Sequence, residues 1–216
     1  MKKGLLLLLL LIVLQTLAVA DLPEIPANVI PGLTAGILKY TNQHRVDIGV
    51  PVLTEDPKAD HSALWFSQEM AQTGNYNHDH MTADGTPFEK RINSFSVCGD
   101  PCGFSAENIH ENSANYVGQP SSIAALLTEL RTDAEIDAMA NSIVKDWIAS
   151  PGHKRNMEDP LMELIGVGVA ISPTGVVYAT QDFFRKELLT PDQSAAEDAS
   201  VAAAKAAEKP QTNPSN

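Results

Sequence analysis

The stretch Trp147-Ile148-Ala149-Ser150-Pro151-Gly152-His153 places an imidazole just beyond the end of a helix. That helix is legible from Thr132-Asp133-Ala134-Glu135, where the threonine hydroxyl and the Glu135 carboxylate can satisfy reciprocal backbone donors. Ile136, Met139, Ile143, Val144 and Trp147 then recur at helical spacing and predict a core-facing stripe. Trp147 anchors the helix end that presents His153. Two upstream segments offer partners for the imidazole: Tyr76-Asn77-His78-Asp79-His80 and Ala106-Glu107-Asn108-Ile109.

Outward from this landmark the chain alternates helical and strand patterns. From Leu33 the sequence is helical, with Leu33, Ile37 and Tyr40 along one side and Gly49-Val50-Pro51 as the stop. Asn42 and Arg45 fall in its last turns and read as residues that fix the helix end through hydrogen bonds. Asp56-Pro57 is a polar cap followed by proline at the first helical position, and Gly74 closes that second helix. Its expected core face includes Trp65 and Phe66, while Asp60, Gln68 and Glu69 are expected to face water. Asp84-Gly85 marks a turn, and Thr86-Pro87 starts a short helix through Phe88, Glu89 and Arg91. A further helix starts near Ser121-Ser122 and presents Ile123, Leu126, Leu127 and Leu130.

Beyond His153, Val167 and Val169 alternate with Gly166 and Gly168, the pattern of a strand approached closely by another backbone. Ser172-Pro173-Thr174-Gly175 turns it into a second strand, Val176 to Phe184, giving a hairpin. The two glycines do not open a helix, which argues against nucleotide binding.

Lys2 and Lys3, the apolar run from Leu5 to Leu14, and Ala18-Val19-Ala20 have the order of an export signal cleaved before Asp21. The run is short beside the roughly 20 residues needed to cross a bilayer, and no later segment is apolar enough to anchor the mature chain. A secreted or periplasmic protein is the expectation. In an oxidising compartment the only two cysteines, Cys98 and Cys102, are expected to form a small loop staple. The formal charge of −12 becomes more negative when the leader is removed, which disfavours nucleic acid and anionic membranes as partners. The expected organisation is a signal peptide at 1–20, an extended lead-in at 21–31, one domain at 32–187 and a disordered, acidic Ala/Pro-rich tail at 188–216.

Three chemistries suit the polar residues. Imidazoles and a carboxylate are ligands for zinc or another divalent cation. His153 alternatively serves as a general base with Glu107 orienting it, although Ser150 lacks the sequence context of a nucleophile. A cleft in which these groups simply hydrogen-bond one another is the third.

Taken in order, Asn42-x-x-Arg45, Tyr76-Asn77-His78, Asp84-Gly85-x-Pro87-Phe88, Ala106-Glu107-Asn108-Ile109 and Trp147-x-x-Ser150-Pro151-Gly152-His153-Lys154-x-Asn156 resemble the motifs of bacterial CAP domains. This superfamily is also called SCP/TAPS and includes cysteine-rich secretory and pathogenesis-related proteins. Ile165-Gly166-Val167-Gly168-Val169 and Tyr178-Ala179-Thr180-Gln181-Asp182-Phe183 extend the resemblance, which covers Leu33 to Phe184. It implies an α+β fold, a three-layer α-β-α sandwich with a central antiparallel sheet and a shallow cleft. By motif, His153 matches the family's later cleft histidine and Glu107 its first acid. Either His78 or His80 matches the earlier histidine, depending on whether one counts from Met70-Ala71 or back from Asp84-Gly85. Ser150 stands where the second acid is expected, which weakens a full metal tetrad; a metal set of His78, His153 and Glu107 is what remains. The resemblance implies binding of a protein, lipid or envelope ligand through a cleft of His78, His80, Glu107, Ser150 and His153. The alternative is a hydrolase, metal-dependent or not, using His153 and Glu107.

Overall fold

The computed structural model describes residues 23–77, 79–97, 104–111 and 122–185, together with several helical positions between 192 and 206. The export signal, His78, the Cys98–Cys102 staple and most of the tail lie outside the described residues. Among those described, the elements in chain order are α1 (Val29–Asp47), β1 (Thr54–Glu55), α2 (Pro57–Thr73), α3 (Phe88–Phe95), β2 (Phe104–Glu111), α4 (Ile123–Glu129), α5 (Asp133–Ala149), α6 (Pro151–Glu158), β3 (Leu164–Ile171) and β4 (Val177–Arg185). The sheet runs β1-β3-β4-β2. Three strands are antiparallel, and two-residue β1 adds a parallel pairing to Leu164 and Ile165.

Alternation along the strands sorts the core into two layers. Ala106, Ile165, Val167, Val169, Ala179 and Phe183 pack with residues of α1 and α5, among them Leu33, Ile143 and Trp147. On the opposite face Ile109 and Tyr178 meet Phe66 and Met70 of α2, while Leu164 and Phe184 meet Ala59 of α2 and Ile92 of α3. The resulting order is helices, sheet, helices.

The glycines of β3 set the distance to α2. A Cβ built on Gly166 falls 2.0 Å from the carbonyl carbon of Ala59, and one on Gly168 falls 2.1 Å from the amide nitrogen of Leu64. Both obstacles are helix backbone, so no rotamer change can relieve them. Helix α2 itself is fixed at both ends: Asp56 accepts from the amides of Lys58 and Ala59, and Gly74 closes it at φ 69°.

Several local expectations change. Helix α1 starts at Val29 rather than near Leu33, because Val29 is a core residue and Pro31 is tolerated in a first turn. Trp65 is 40% exposed rather than buried; Ala59, Ala63, Phe66 and Met70 take the inward face of α2, and Trp65 leans sideways on Phe95. Asp60 turns to the sheet and accepts from the Val167 amide at 2.9 Å, protecting a strand edge that β1 is too short to reach. His153 lies inside a helix of its own: Ser150 is extended at φ −93° and ψ 120°, and Pro151 opens α6. No described helix is long and apolar enough to cross a membrane.

Arg45 and Asn42 fasten the far end of α1. The fully buried Arg45 guanidinium donates to the carbonyls of Pro51, Met157 and Asp159 at 2.6, 2.6 and 3.0 Å. Asn42 both donates to and accepts from the Leu53 backbone.

Replacing Gly168 with alanine is expected to destabilise the protein by about 3 kcal/mol, the upper part of the usual range for overpacking, because helix and strand must separate. Urea unfolding of Gly168→Ala beside the wild type measures this. A change below about 1 kcal/mol would show that the backbone contact is not a constraint.

Candidate functional site

Glu107 is the centre of a buried polar cluster built on the α2 face of the sheet. Its side chain is 1% exposed. Strand β2 places it opposite Asp182 of β4, so the two carboxyl groups share one face at neighbouring positions. From α3, Arg91 Nη2 donates to Glu107 Oε2 in a short contact. From the turn after α2, His80 Nδ1 lies 2.7 Å from Glu107 Oε1. Ser62 of α2 donates to Asp182 Oδ2 at 2.6 Å.

Protons in this cluster follow from its charges. Two carboxyl groups in one dry place cannot both ionise against a single cation. Burial pushes Asp182 well above the usual carboxylate range, and the adjacent Glu107 pushes it further. Burial also raises Glu107, but Arg91 and the hydrogen bond with Asp182 act to lower it. Glu107 is therefore the ionised member and Asp182 keeps the proton. Asp182 Oδ1 meets no donor among the described residues, so nothing there offsets the burial that favours its neutral form. Burial, then the Arg91 charge, lowers the His80 imidazole to about 4. With Glu107 ionised, His80 Nδ1 is the donor, and Nε2 is left as an acceptor.

The turn that delivers His80 is held by amides. Asn77 Oδ1 accepts from the Met81 amide, and Asn77 Nδ2 and Asn75 Nδ2 both donate to the Met81 carbonyl. His80 sits at φ 55°, a left-handed conformation that costs a non-glycine residue on the order of 1 kcal/mol. That backbone bend aims the imidazole back at β2.

A second, uncharged network lies on the other side of β2. Gln181 Nε2 donates to Thr41 Oγ1 at 2.6 Å, and Asn108 Nδ2 donates to Gln181 Oε1 at 3.2 Å. Asn108 Nδ2 also reaches the His153 carbonyl at 3.1 Å, and Asn156 Nδ2 donates to Asn108 Oδ1 and to the Glu107 carbonyl. Trp147 Nε1 donates to the Ile109 carbonyl at 2.9 Å. These bonds cap the free edge of β2 and seat α6 against it, with the His153 side chain half-buried.

Of the residues expected at the site, His80 and Glu107 are in direct contact, and His153 is tied to the same strand through its carbonyl. Ser150 is the hinge between α5 and α6. Arg91, Asp182 and Ser62 were not foreseen as site residues. Their signal was available only in part: Asp182 is an acid inside a strand otherwise buried throughout. A divalent ion held by Glu107 needs carboxylate oxygens that His80 and Arg91 already occupy. Among the described residues no three His, Cys, Asp or Glu side chains are placed to hold one, and His78 of the expected metal set lies outside the described residues.

The profile of the Cysteine-rich secretory protein family, CAP, matches residues 38–183. The chain belongs to this family. The CAP domain here is similar in fold to an extracellular SCP-domain protein of Bacillus anthracis, with 20% identity and a TM-score of 0.54 over 76% of this chain and 45% of that one. An outer surface protein of Borrelia burgdorferi gives 14% identity and a TM-score of 0.53 over 71% of this chain and 92% of its own. A cysteine-rich secretory protein of Staphylococcus aureus gives 14% identity and a TM-score of 0.50 over 76% and 42%. The chain thus spans less than half of the Bacillus and Staphylococcus proteins. A comparison with curated proteins finds no match.

His80 is expected to remain a neutral Nδ1–H tautomer until the pH approaches 4, which long-range nitrogen–proton correlation spectra measure directly. The sign for stability follows: between pH 6.5 and about 4 the unfolded chain takes up a proton that native His80 refuses. The His80 contribution is therefore complete above pH 6.5 and declines as pH falls through that window. Titration near 6.5 in the native protein would overturn the tautomer assignment.

Proposed function

We propose that this protein is an exported CAP domain that binds an envelope or extracellular ligand at the His80–Glu107 cleft and does not chemically transform it. The observation that supports this reading is the exposure pattern of the cluster. His80 is 21% exposed, whereas Glu107 and Arg91 are 1% and 2% exposed and Asp182 is 0%. The buried charges thus support a single surface group rather than meeting a ligand themselves. With Nδ1 given to Glu107, the group on offer is Nε2, an acceptor for a hydroxyl or amide of a protein, lipid or other envelope ligand. Export is supported by the leader pattern and by relatives described as extracellular and outer-surface proteins.

Hydrolysis is the second reading, favoured by one feature: a histidine oriented through Nδ1 by a carboxylate is the arrangement of a general base. Hydrolysis through His153 and Glu107, however, requires Glu107 to leave His80 and Arg91, and Ser62 already donates to Asp182.

Binding of purified protein to envelope fractions, peptidoglycan and lipid vesicles, each titrated to saturation, separates these readings. His80→Ala is expected to weaken the saturable interaction at least about tenfold, the equivalent of one hydrogen bond in a desolvated site. Equal affinity in wild type and H80A would remove the cleft from the interaction. Turnover of a bound component that disappears in both H80A and Glu107→Gln would replace binding with hydrolysis.

A further inference from the structure

We infer that Arg91 is the resident cation of the cleft: its guanidinium fills the electrostatic place beside Glu107, Asp182 and His80 that a divalent ion would take, so the site works without metal. Arg91 is positioned as a charge more than as a hydrogen-bonding fork. Its guanidinium carbon lies 3.9 Å from the centroid of the Phe66 ring and 5.3 Å from that of Phe88, so aromatic faces hold it. One nitrogen, Nη2, serves Glu107, while Nε and Nη1 are buried with no hydrogen-bond partner among the described residues. A buried guanidinium with unsatisfied donors costs stability unless its charge is needed. Here the need is visible: Glu107 is a carboxylate 1% exposed, and among the described residues no other lysine or arginine bonds to it.

The same placement explains why the cluster holds only one proton between two acids. Arg91 balances one carboxylate, so Asp182 stays neutral and the cluster carries no net charge. A divalent ion added to this arrangement would meet a guanidinium within a few ångströms of any oxygen it could reach on Glu107. Without Arg91, the two carboxyls and His80 retain oxygen and nitrogen donors of the kind zinc prefers, and the volume the guanidinium vacates beside Phe66 and Phe88 lets them rearrange around an ion they are not now placed to hold. The claim concerns the same cleft as the proposed function but not its ligand, and zinc alone reads it out.

Zinc titration by calorimetry, with circular dichroism and thermal unfolding as the check on folding, tests the idea on the full mature chain. The wild type and the charge-conserving Arg91→Lys are expected to bind no zinc at the cluster. Arg91→Ala is expected to bind one equivalent at least about 100-fold more tightly than any residual association with wild type; the repulsion between a divalent ion and a unit charge about 5 Å away at an effective dielectric near 20 sets a ceiling on the order of 10^5-fold. Adding Glu107→Gln to R91A should abolish the gain. Because R91A also removes a buried ring partner, its folding is the exposed point; the wild type supplies the independent readout. His80 ring nitrogens followed by NMR should not move when zinc is added to the wild-type protein. Stoichiometric zinc on the wild type that shifts those nitrogens, or a folded R91A with no gain in affinity, would overturn the inference.

Discussion

Much of this structure depends on the absence of two methyl-sized groups. Because Gly166 and Gly168 carry no side chain, α2 lies with its backbone against β3, and the interval from Ser62 to Met70 falls directly over the sheet. Ser62 then reaches Asp182 of β4, Ser67 reaches the Gly168 carbonyl and the Thr180 hydroxyl, and Phe66 becomes the platform for Arg91. A helix standing farther out would leave Asp182 and Glu107 facing water or a void. The polar cluster is thus a consequence of the close contact between α2 and the sheet.

That close packing imposes a charge problem, and the cluster is its solution. Two acids face each other across β2 and β4 in a region from which water is excluded. One guanidinium, one shared proton and one tautomer-locked imidazole bring the net charge to zero. Five places in the fold each supply one part: β2 and β4 the carboxyls, α3 the cation, α2 the serine, and the Asn77 turn the histidine. No member can be altered in charge without changing the proton count of another.

The sequence made some of this legible and concealed the rest for physical reasons. Local signals were strong where a cap or turn must satisfy backbone donors: Asp56-Pro57, the Thr132/Glu135 box and Ser172 to Gly175 all stand where expected. The glycine alternation in β3 correctly implied a close backbone approach. Strand β2 was not legible, because Glu107 and Asn108 are both buried and face opposite networks, which erases the polar–apolar alternation that identifies a half-exposed strand. His78 and His80 are equivalent by spacing; the left-handed backbone at His80 and its Asn75 and Asn77 supports are tertiary facts. Arg91 looked like a residue of a short helix, and only the register of two distant strands gives it a carboxylate to neutralise.

The two polar networks share a single peptide, and that junction ties the charged cluster to the seat of α6. The Glu107 side chain belongs to the charged cluster, while its carbonyl accepts from Asn156 of the amide network that seats α6. His153 is therefore held on the same strand as Glu107 through Asn108 and Asn156, and Trp147 adds a further bond to Ile109. This side of the cluster is bonded on both sides of one strand and has little freedom to shift. The opposite side is different in kind. His80 rides on a turn whose shape depends on the side-chain amides of Asn75 and Asn77 gripping the Met81 backbone, and its own backbone is in a costly conformation. Relaxing that turn would swing the imidazole away from Glu107 without disturbing β2 or α6. The supports at Asn75, Asn77 and Met81 thus hold His80 against a frame that Glu107 and the seat of α6 fix independently.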